Sequence, residues 1–230
     1  MSIVWSEGTP FILGSFAVFA ALAFAFRFIL RKRKAAAFFL ILAFAGAGYM
    51  LYFFRDPVRR PPPESDVVLA GADGVVMAVE PAPANAELGG DAVRISIFLS
   101  LFDVHVNRFP IGGTVISASY HPGSRYFTFQ EKSSQYNQHS SILIRGEKTD
   151  CLVKQIVGPV ARRVVYWTRV NDRVEAGAKL GMMKFGSRLD IYLPGSKVEI
   201  TTAKGDKVRA GETIVARIIG AADSSVGEAK

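Results

Sequence analysis

Two regimes of hydrophobic patterning divide the chain. Residues 10–30 (PFILGSFAVFAALAFAFRFIL) carry one charge, Arg27, and residues 35–54 (AAAFFLILAFAGAGYMLYFF) carry none. Each run is about 20 residues, the length an α-helix needs to cross the hydrocarbon core of a bilayer. From Val67 onward the pattern is short and alternating. Val93, Ile95 and Ile97 alternate with Arg94 and Ser96, and Leu189, Ile191 and Leu193 alternate with Arg188, Asp190 and Tyr192. Similar runs near 141–145, 151–157, 163–168, 197–201 and 213–218 are punctuated by Gly, Asp, Asn or Pro. Period-two alternation between turn residues predicts antiparallel β structure, and one helix is expected near 98–106. The expected fold is mainly β: a helical hairpin over 1–54, a Pro-rich linker over 55–66 and a β-rich domain over 67–230.

The linker reads RDPVRRPPPESD, with Pro57, Pro61, Pro62 and Pro63. Prolines cannot continue a helix and favour extended backbone, so the domain boundary falls here. The basic cluster Arg31–Lys34 follows the first apolar run, whereas the basic region of a secretory signal precedes it. The positive-inside rule puts Arg31–Lys34 in the cytoplasm, but Arg55, Arg59 and Arg60 follow the second run closely. Two spanning helices would place the clusters on opposite faces, and a hairpin lying in one leaflet would keep both cytoplasmic. The expectation is an anchor in the cell (inner) membrane with the soluble domain facing the cytoplasm. Gly46, Gly48 and the alanines allow the two helices to pack closely.

Composition narrows the classes. Half of the 230 residues are apolar and 21% are charged, which excludes an intrinsically disordered chain. Cys151 is the sole cysteine, which excludes a disulfide scaffold, and it is expected to pack as a small apolar residue. The net charge of +8 suits an anionic partner, either nucleic acid or an anionic membrane surface. Aromatic residues do not interleave with the basic ones and no DNA-binding motif is present, so no nucleic-acid partner is expected. The three histidines and one cysteine have no metal-ligand spacing, so no metal is expected.

Residues 171–181, NDRVEAGAKLG, resemble 205–215, GDKVRAGETIV, at an offset of 34 residues. Val174 matches Val208 and Gly177 matches Gly211 in a frame D-x-V-x-A-G-x-x-[LI]. Two copies are too few for a solenoid. Such paired turn-plus-strand motifs resemble the barrel-sandwich halves of biotinyl and lipoyl domains and of membrane-fusion adaptors. Taken alone, the repeat supports a membrane-anchored barrel-sandwich adaptor without catalytic activity. Lys184 is a poor carrier lysine, because Phe185 follows where a biotinyl domain has its second methionine.

Four further segments occur in order: AGADG (70–74), FLSLFDVHVNRFP (98–110), GPVARR (158–163) and GMMKFGSRLDIYLP (181–194). With FFRDPVRRPP (53–62) and HPGSRYFTFQEKSSQYN (121–137), the chain from about 50 to 218 resembles the phosphatidylserine decarboxylase family, especially its short, membrane-anchored branch. The resemblance implies a proenzyme that cuts itself at Gly186–Ser187, giving a β chain of residues 1–186 and an α chain of residues 187–230 that stay together. Ser187 would become a covalent pyruvoyl cofactor, whose ketone forms a Schiff base with the amine of phosphatidylserine and serves as electron sink for decarboxylation to phosphatidylethanolamine. An anionic phospholipid and the membrane are then the partners, and a homo-oligomer is allowed.

Residue roles follow from the same resemblance. Glycine at 186 leaves the attacked carbonyl uncrowded and permits a strained backbone. Serine is a weak nucleophile and needs a base. His105 fills that place, with Asp73 orienting and stabilising its imidazolium, and His105 also suits proton transfer during decarboxylation. Longer family members carry a second histidine where this chain has Arg108. Arg188, Arg108 and His139 are candidate substrate contacts, with His139 a second candidate base. Arg188 is equally well read as a solvent-facing strand residue. Arg59–Arg60 and Arg162–Arg163 are read as solvated charge able to meet lipid phosphate, and His121 as a loop residue.

Overall fold

The computed structural model describes residues 2–124, 126–128, 136–159 and 164–219, with the backbone alone for 84–86. It divides between Val58 and Arg59, inside the Pro-rich stretch, into two units.

The first unit is a helical hairpin. Helix α1 (Trp5–Phe24) runs on through a π-helical turn (Ala25–Ile29), and Arg31 reverses the chain at φ +54°. Helix α2 (Arg33–Phe53) returns. A two-residue strand β1 (Ser2–Ile3) pairs antiparallel with β2 (Arg55–Asp56) and closes the open end. Phe16 meets Phe44 edge-on and Phe26 stacks on Phe39 between the helices. Neither Gly46, where a Cβ would make ordinary contact 3.7 Å from the Phe19 ring, nor Gly48, which faces open space, is needed for close packing; the close approach is at Gly8, where a Cβ would lie 2.9 Å from the Phe54 ring. Leu13, Val18, Ile41 and Phe44 point outward and exposed. Both helices are long and apolar enough to cross a bilayer, and a helix apolar on its outer face suits lipid rather than water.

The second unit is antiparallel β. Its strands are β3 (Val67–Leu69), β4 (Gly74–Asn85), β5 (Gly90–Leu99), β6 (Val106–Arg108), β7 (Gly113–His121), β8 (His139–Arg145) and β9 (Asp150–Val157). They continue with β10 (Val164–Tyr166), β11 (Arg173–Val174), β12 (Lys179–Met183), β13 (Ser187–Pro194), β14 (Val198–Ile200), β15 (Lys207–Val208) and β16 (Ile214–Ile218). Eight of them form one sheet in the order β11-β7-β8-β9-β13-β5-β4-β15. Two three-stranded sheets, β10-β12-β6 and β14-β16-β3, contribute to its main core. The strand runs expected from alternation are all present.

Strand β13 is held on both sides, Leu189 opposite Ile97 of β5 and opposite Gln155 of β9. Because side chains alternate, Ser187, Leu189, Ile191 and Leu193 share one face with Ile95, Ile97, Val153 and Val157. That face carries the main apolar core, joined by Val68, Leu180, Met183 and Val215 of the smaller sheets. Alternation alone would expose Arg188, Asp190 and Tyr192, yet every residue of β13 is buried. Leu88 and Ala92 of the β4–β5 hairpin pack with Leu143, Leu152 and Tyr192 over this second face.

The expected helix at 98–106 does not form. Strand β5 runs to Leu99, and the Asp103 carboxylate accepts hydrogen bonds from the Ser100 amide (2.8 Å) and hydroxyl (2.7 Å). An aspartate side chain that captures local donors closes a turn in place of helical hydrogen bonding.

The internal repeat is structural. Each copy is a turn, a two-residue strand, a second turn and a longer strand. The two short strands close opposite ends of the eight-stranded sheet, β11 beside β7 and β15 beside β4. The likeness reaches further back than the sequence frame: Asp172 accepts from the Thr168 hydroxyl and the Arg169 amide, and Asp206 from the Thr202 hydroxyl and the Ala203 amide. The copies meet at their glycines. Gly177 (φ +80°) and Gly211 (φ +73°) stand so close that a Cβ on Gly211 would lie 3.2 Å from the Gly177 Cα and 2.9 Å from the Arg108 Cδ. Arg108 is buried there and donates to the Gly177 carbonyl at 2.9 Å.

Close approach and backbone strain predict a graded effect. Gly205→Ala adds only the left-handed conformational penalty, since φ is +100° and nothing lies within 4 Å, and should cost about 1 kcal/mol. Gly211→Ala adds a clash at the junction of the repeats and should cost about 3 kcal/mol. Denaturant unfolding of the two variants checks the order, and equal losses would show that the junction is not tightly packed.

Candidate active site

The reactive candidates gather where β5, β6, β9, β12 and β13 meet. Ser187 opens β13, opposite Leu99 on one side and Val157 on the other. The 99–106 and 183–187 segments are therefore clamped twice, by the Leu99–Ser187 pairing and by the Met183 amide donating to the His105 carbonyl (3.3 Å). His105 and Ser187 are each fully buried on these facing segments.

Strain is concentrated just before Ser187. Phe185 has φ +58° and Gly186 φ +67°. A left-handed non-glycine residue is uncommon and marks a local constraint at Phe185, whereas glycine adopts that region freely. A Cβ on Gly186 would meet nothing within 4 Å, so glycine serves the conformation rather than space at that residue. The crowding lies across from it: a Cβ on Gly158 would come within 3.1 Å of the Gly186 carbonyl oxygen and 3.3 Å of the Thr128 methyl. Asn137 holds this region together. It accepts from the Tyr126 amide (2.8 Å) and donates to the Tyr126 carbonyl (2.6 Å) and to the Val157 carbonyl (2.9 Å).

The His105 ring is set by its own turn. Its Nδ1 lies 3.0 Å from the Asp103 carbonyl oxygen. A carbonyl only accepts, so Nδ1 carries the proton and Nε2 is the basic nitrogen of the neutral ring. Asp73 lies elsewhere in the hydrogen-bond pattern. Its carboxylate accepts from Arg59 (2.6 Å) and from the Ala210 amide (2.8 Å). Burial pushes the Asp73 carboxyl above its ordinary range, against the opposing pull of Ala210 and Arg59. Arg59 is thus not solvated charge: it also pairs with Glu212 at 3.1 Å and its side chain is 7% exposed.

Arg188 points away from Ser187, on the other face of β13. It is 2% exposed, bonded to both Asp190 oxygens (2.6 and 3.1 Å) and to the Ser96 hydroxyl (3.0 Å). It is neither a solvent-facing residue nor beside the serine hydroxyl, because the β4–β5 hairpin covers that face. His139 sits on the same side as Arg188: both pair across Ile156. Its ring stacks on His121, with centroids 4.7 Å apart, and its Nδ1 lies 2.7 Å from the Asn137 carbonyl. Arg162 and Arg163 lie outside the described residues. Cys151 is buried in the core as expected, and burial raises its thiol far above the ordinary range.

Sequence reading missed a buried polar chain centred on β9, two residues from the Val157 that pairs with Ser187. The Ser140 hydroxyl donates to Gln155 Oε1 (2.8 Å), and Gln155 Nε2 donates to Asn107 Oδ1 (2.7 Å). All three are fully buried. The signal was available: in Cys151, Val153, Gln155 and Val157 a glutamine occupies a core-facing register. The open groove of about 610 Å³ elsewhere, lined by Glu64, Asp66, Gly112, Lys148 and Glu175 among others, contains none of these groups.

Residues 47–216 match the family model described as phosphatidylserine decarboxylase. The chain is similar to the phosphatidylserine decarboxylase proenzyme of Desulfotalea psychrophila, 38% identical over 93% of this chain and 95% of the relative. It is also similar to the proenzymes of Salinibacter ruber, 45% identical over 78% and 80%, and Carboxydothermus hydrogenoformans, 41% identical over 75% and 81%.

The stacked histidines predict a pH effect on stability. Burial, with help from Lys154 and His121, holds the His139 pKa below its usual value, against the Asn137 carbonyl and Asp190. A depressed folded-state pKa gives stability that is present above the unfolded value of about 6.5 and lost as pH falls through the folded one. His139→Gln should therefore lose less Tm than the wild type between pH 7.5 and 5. An unchanged acid loss would remove His139 as its source.

Proposed function

The chain belongs to the phosphatidylserine decarboxylase family, and on that premise we propose that it is a self-cleaving proenzyme that decarboxylates phosphatidylserine to phosphatidylethanolamine. The observation that carries this reading is Ser187: fully buried, its Oγ without a hydrogen-bond partner among the described residues, directly after a glycine at φ +67°. A buried hydroxyl left unbonded costs about 1–3 kcal/mol. A non-catalytic adaptor would leave both that cost and the strain unexplained, whereas a nucleophile next to its target bond uses both.

His105 Nε2 takes the Oγ proton as Ser187 attacks the Gly186 carbonyl carbon. The Gly186–Ser187 C–N bond then breaks, the nitrogen takes a proton, and an ester joins Gly186 to Ser187. Relief of the left-handed constraint at Phe185 favours this step. The Asp103 carbonyl, and not Asp73 as expected from the resemblance, orients the ring; Asp73, held by Arg59 and the Ala210 amide, acts on the imidazolium only through its charge. Loss of the Ser187 Cα proton and cleavage of the Cβ–O bond release the Gly186 carboxylate. Water then replaces nitrogen at the former Cα, ammonia leaves, and a pyruvoyl terminus remains.

The site fits that group, because Ser187 already begins a strand whose remaining residues are pinned on both sides. Once formed, the pyruvoyl ketone supplies an electron sink for the amine-bearing carbon of the lipid. His105 holds the proton to be returned to carbon. In the uncut chain no phospholipid can reach the enclosed Ser187, so release of residues 184–186 at cleavage also opens the site. Leu101 (44% exposed) and Phe102 (68%) project from the turn that carries His105 and suit a lipid surface. Arg108, between the repeats, acts on the fold rather than on the headgroup. The helical hairpin anchors the enzyme in the membrane that supplies its substrate, and both chains remain held by the shared sheet.

Ser187→Ala should remain one chain of 25.0 kDa without decarboxylase activity, and cleavage at 186/187 in that variant would refute the assignment. His105→Ala should slow maturation by about 100-fold or more, and Asp73→Asn should slow it less than His105→Ala does. Time courses on denaturing gels check both. Full-rate processing of His105→Ala would place the base elsewhere.

A further inference from the structure

We propose that the side-chain amide of Asn107 is the hydrogen-bond donor that stabilises negative charge on the Ser187 oxygen during self-cleavage, with Gln155 as its positioning residue. This rests on the self-cleavage reading above and adds a residue to it. Asn107 Nδ2 is buried and has no hydrogen-bond partner among the described residues, and the Ser187 Oγ is in the same condition. Two such groups enclosed in one region are each other's natural complement, one a donor and the other a developing anion.

Register brings them to the same face. Gln155 and Val157 lie two residues apart on β9 and so point the same way, and Val157 stands opposite Ser187. The Gln155 amide reaches across the core to Asn107 Oδ1 at 2.7 Å. His105 lies immediately before β6 and Asn107 is its second residue, so one short segment delivers both ring and amide. Base, donor and nucleophile therefore converge from two strands on a third.

The orientation of the amide is fixed from behind. Gln155 is anchored by the Ser140 hydroxyl at 2.8 Å and presents its Nε2 to Asn107. Asn107 must then turn its oxygen to Gln155 and its NH₂ away from it. A preorganised donor needs no reorganisation as charge forms. In the attack, Asn107 Nδ2–H bonds to Oγ as His105 takes its proton; once Oγ has bonded to the carbonyl carbon, the charge passes to the former Gly186 carbonyl oxygen. In the elimination Oγ leaves as part of the Gly186 carboxylate, and the same donor meets it.

The test uses the full chain in detergent, with maturation followed by intact mass and folding by the melting transition. Asn107→Ala should slow conversion to two chains roughly 100- to 1000-fold. Asn107→Asp keeps the size and the oxygen facing Gln155 but not the donor, and should be comparably slow if the alanine variant does not fold. Gln155→Leu should slow maturation less than either. In a Ser187→Cys background the Asn107 effect should shrink, because a thiolate accepts hydrogen bonds weakly; a merely structural residue would show no such coupling. A folded Asn107 variant of either kind that matures at the wild-type rate, while Ser187→Ala stays uncut, overturns this inference alone. Cleavage of Ser187→Ala overturns the reading beneath it.

Discussion

The structure depends on one strand being pinned on both sides immediately after a strained junction. Strand β13 is bonded to β5 and β9 from its first residue, Ser187, while Phe185 and Gly186 before it are both left-handed. A rigid strand cannot yield to relax the junction, and the covalent link cannot relax it either. Everything else in the β domain either holds that strand in place or puts a functional group beside the bond.

The repeats serve the first purpose. By closing opposite ends of the eight-stranded sheet and meeting at Gly177 and Gly211, they tie its edges to each other. Arg108, bonded to the Gly177 carbonyl, locks that junction. It follows His105 by three residues, so the piece of chain that carries this buried histidine also ties the scaffold. The Asp103 turn serves the second purpose, since its carboxylate shapes the turn and its carbonyl sets the imidazole tautomer.

Much of this was legible in the sequence because it is periodic. Alternation at 93–97 and 189–193 gave β5 and β13, and two apolar runs that together carry a single charge, Arg27, gave the helical hairpin. The resemblance pointed to Gly186, Ser187 and His105, which the fold brings onto facing segments, and to Asp73, which it ties to Arg59 and Ala210 instead. What escaped was non-local. Nothing near Arg188 announces that the β4–β5 hairpin will bury it against Asp190 and Ser96, and nothing near Arg59 announces Asp73 and Glu212 as its partners. The 98–106 segment is not helical because β5 runs to Leu99 and the Asp103 side chain captures the Ser100 donors, contacts that its local pattern does not announce. Gln155 was visible as a polar residue in a core register, but its partner Asn107 lies 48 positions away.

The central claim is tested most directly by intact-mass measurement of freshly purified, active wild-type protein. The account predicts two polypeptides, residues 1–186 and residues 187–230, the second lighter by one ammonia than its serine-terminated form would be after exchange of nitrogen for a ketone oxygen. Active material consisting of one unbroken 25.0 kDa chain, or a second chain that still begins with serine, would contradict it.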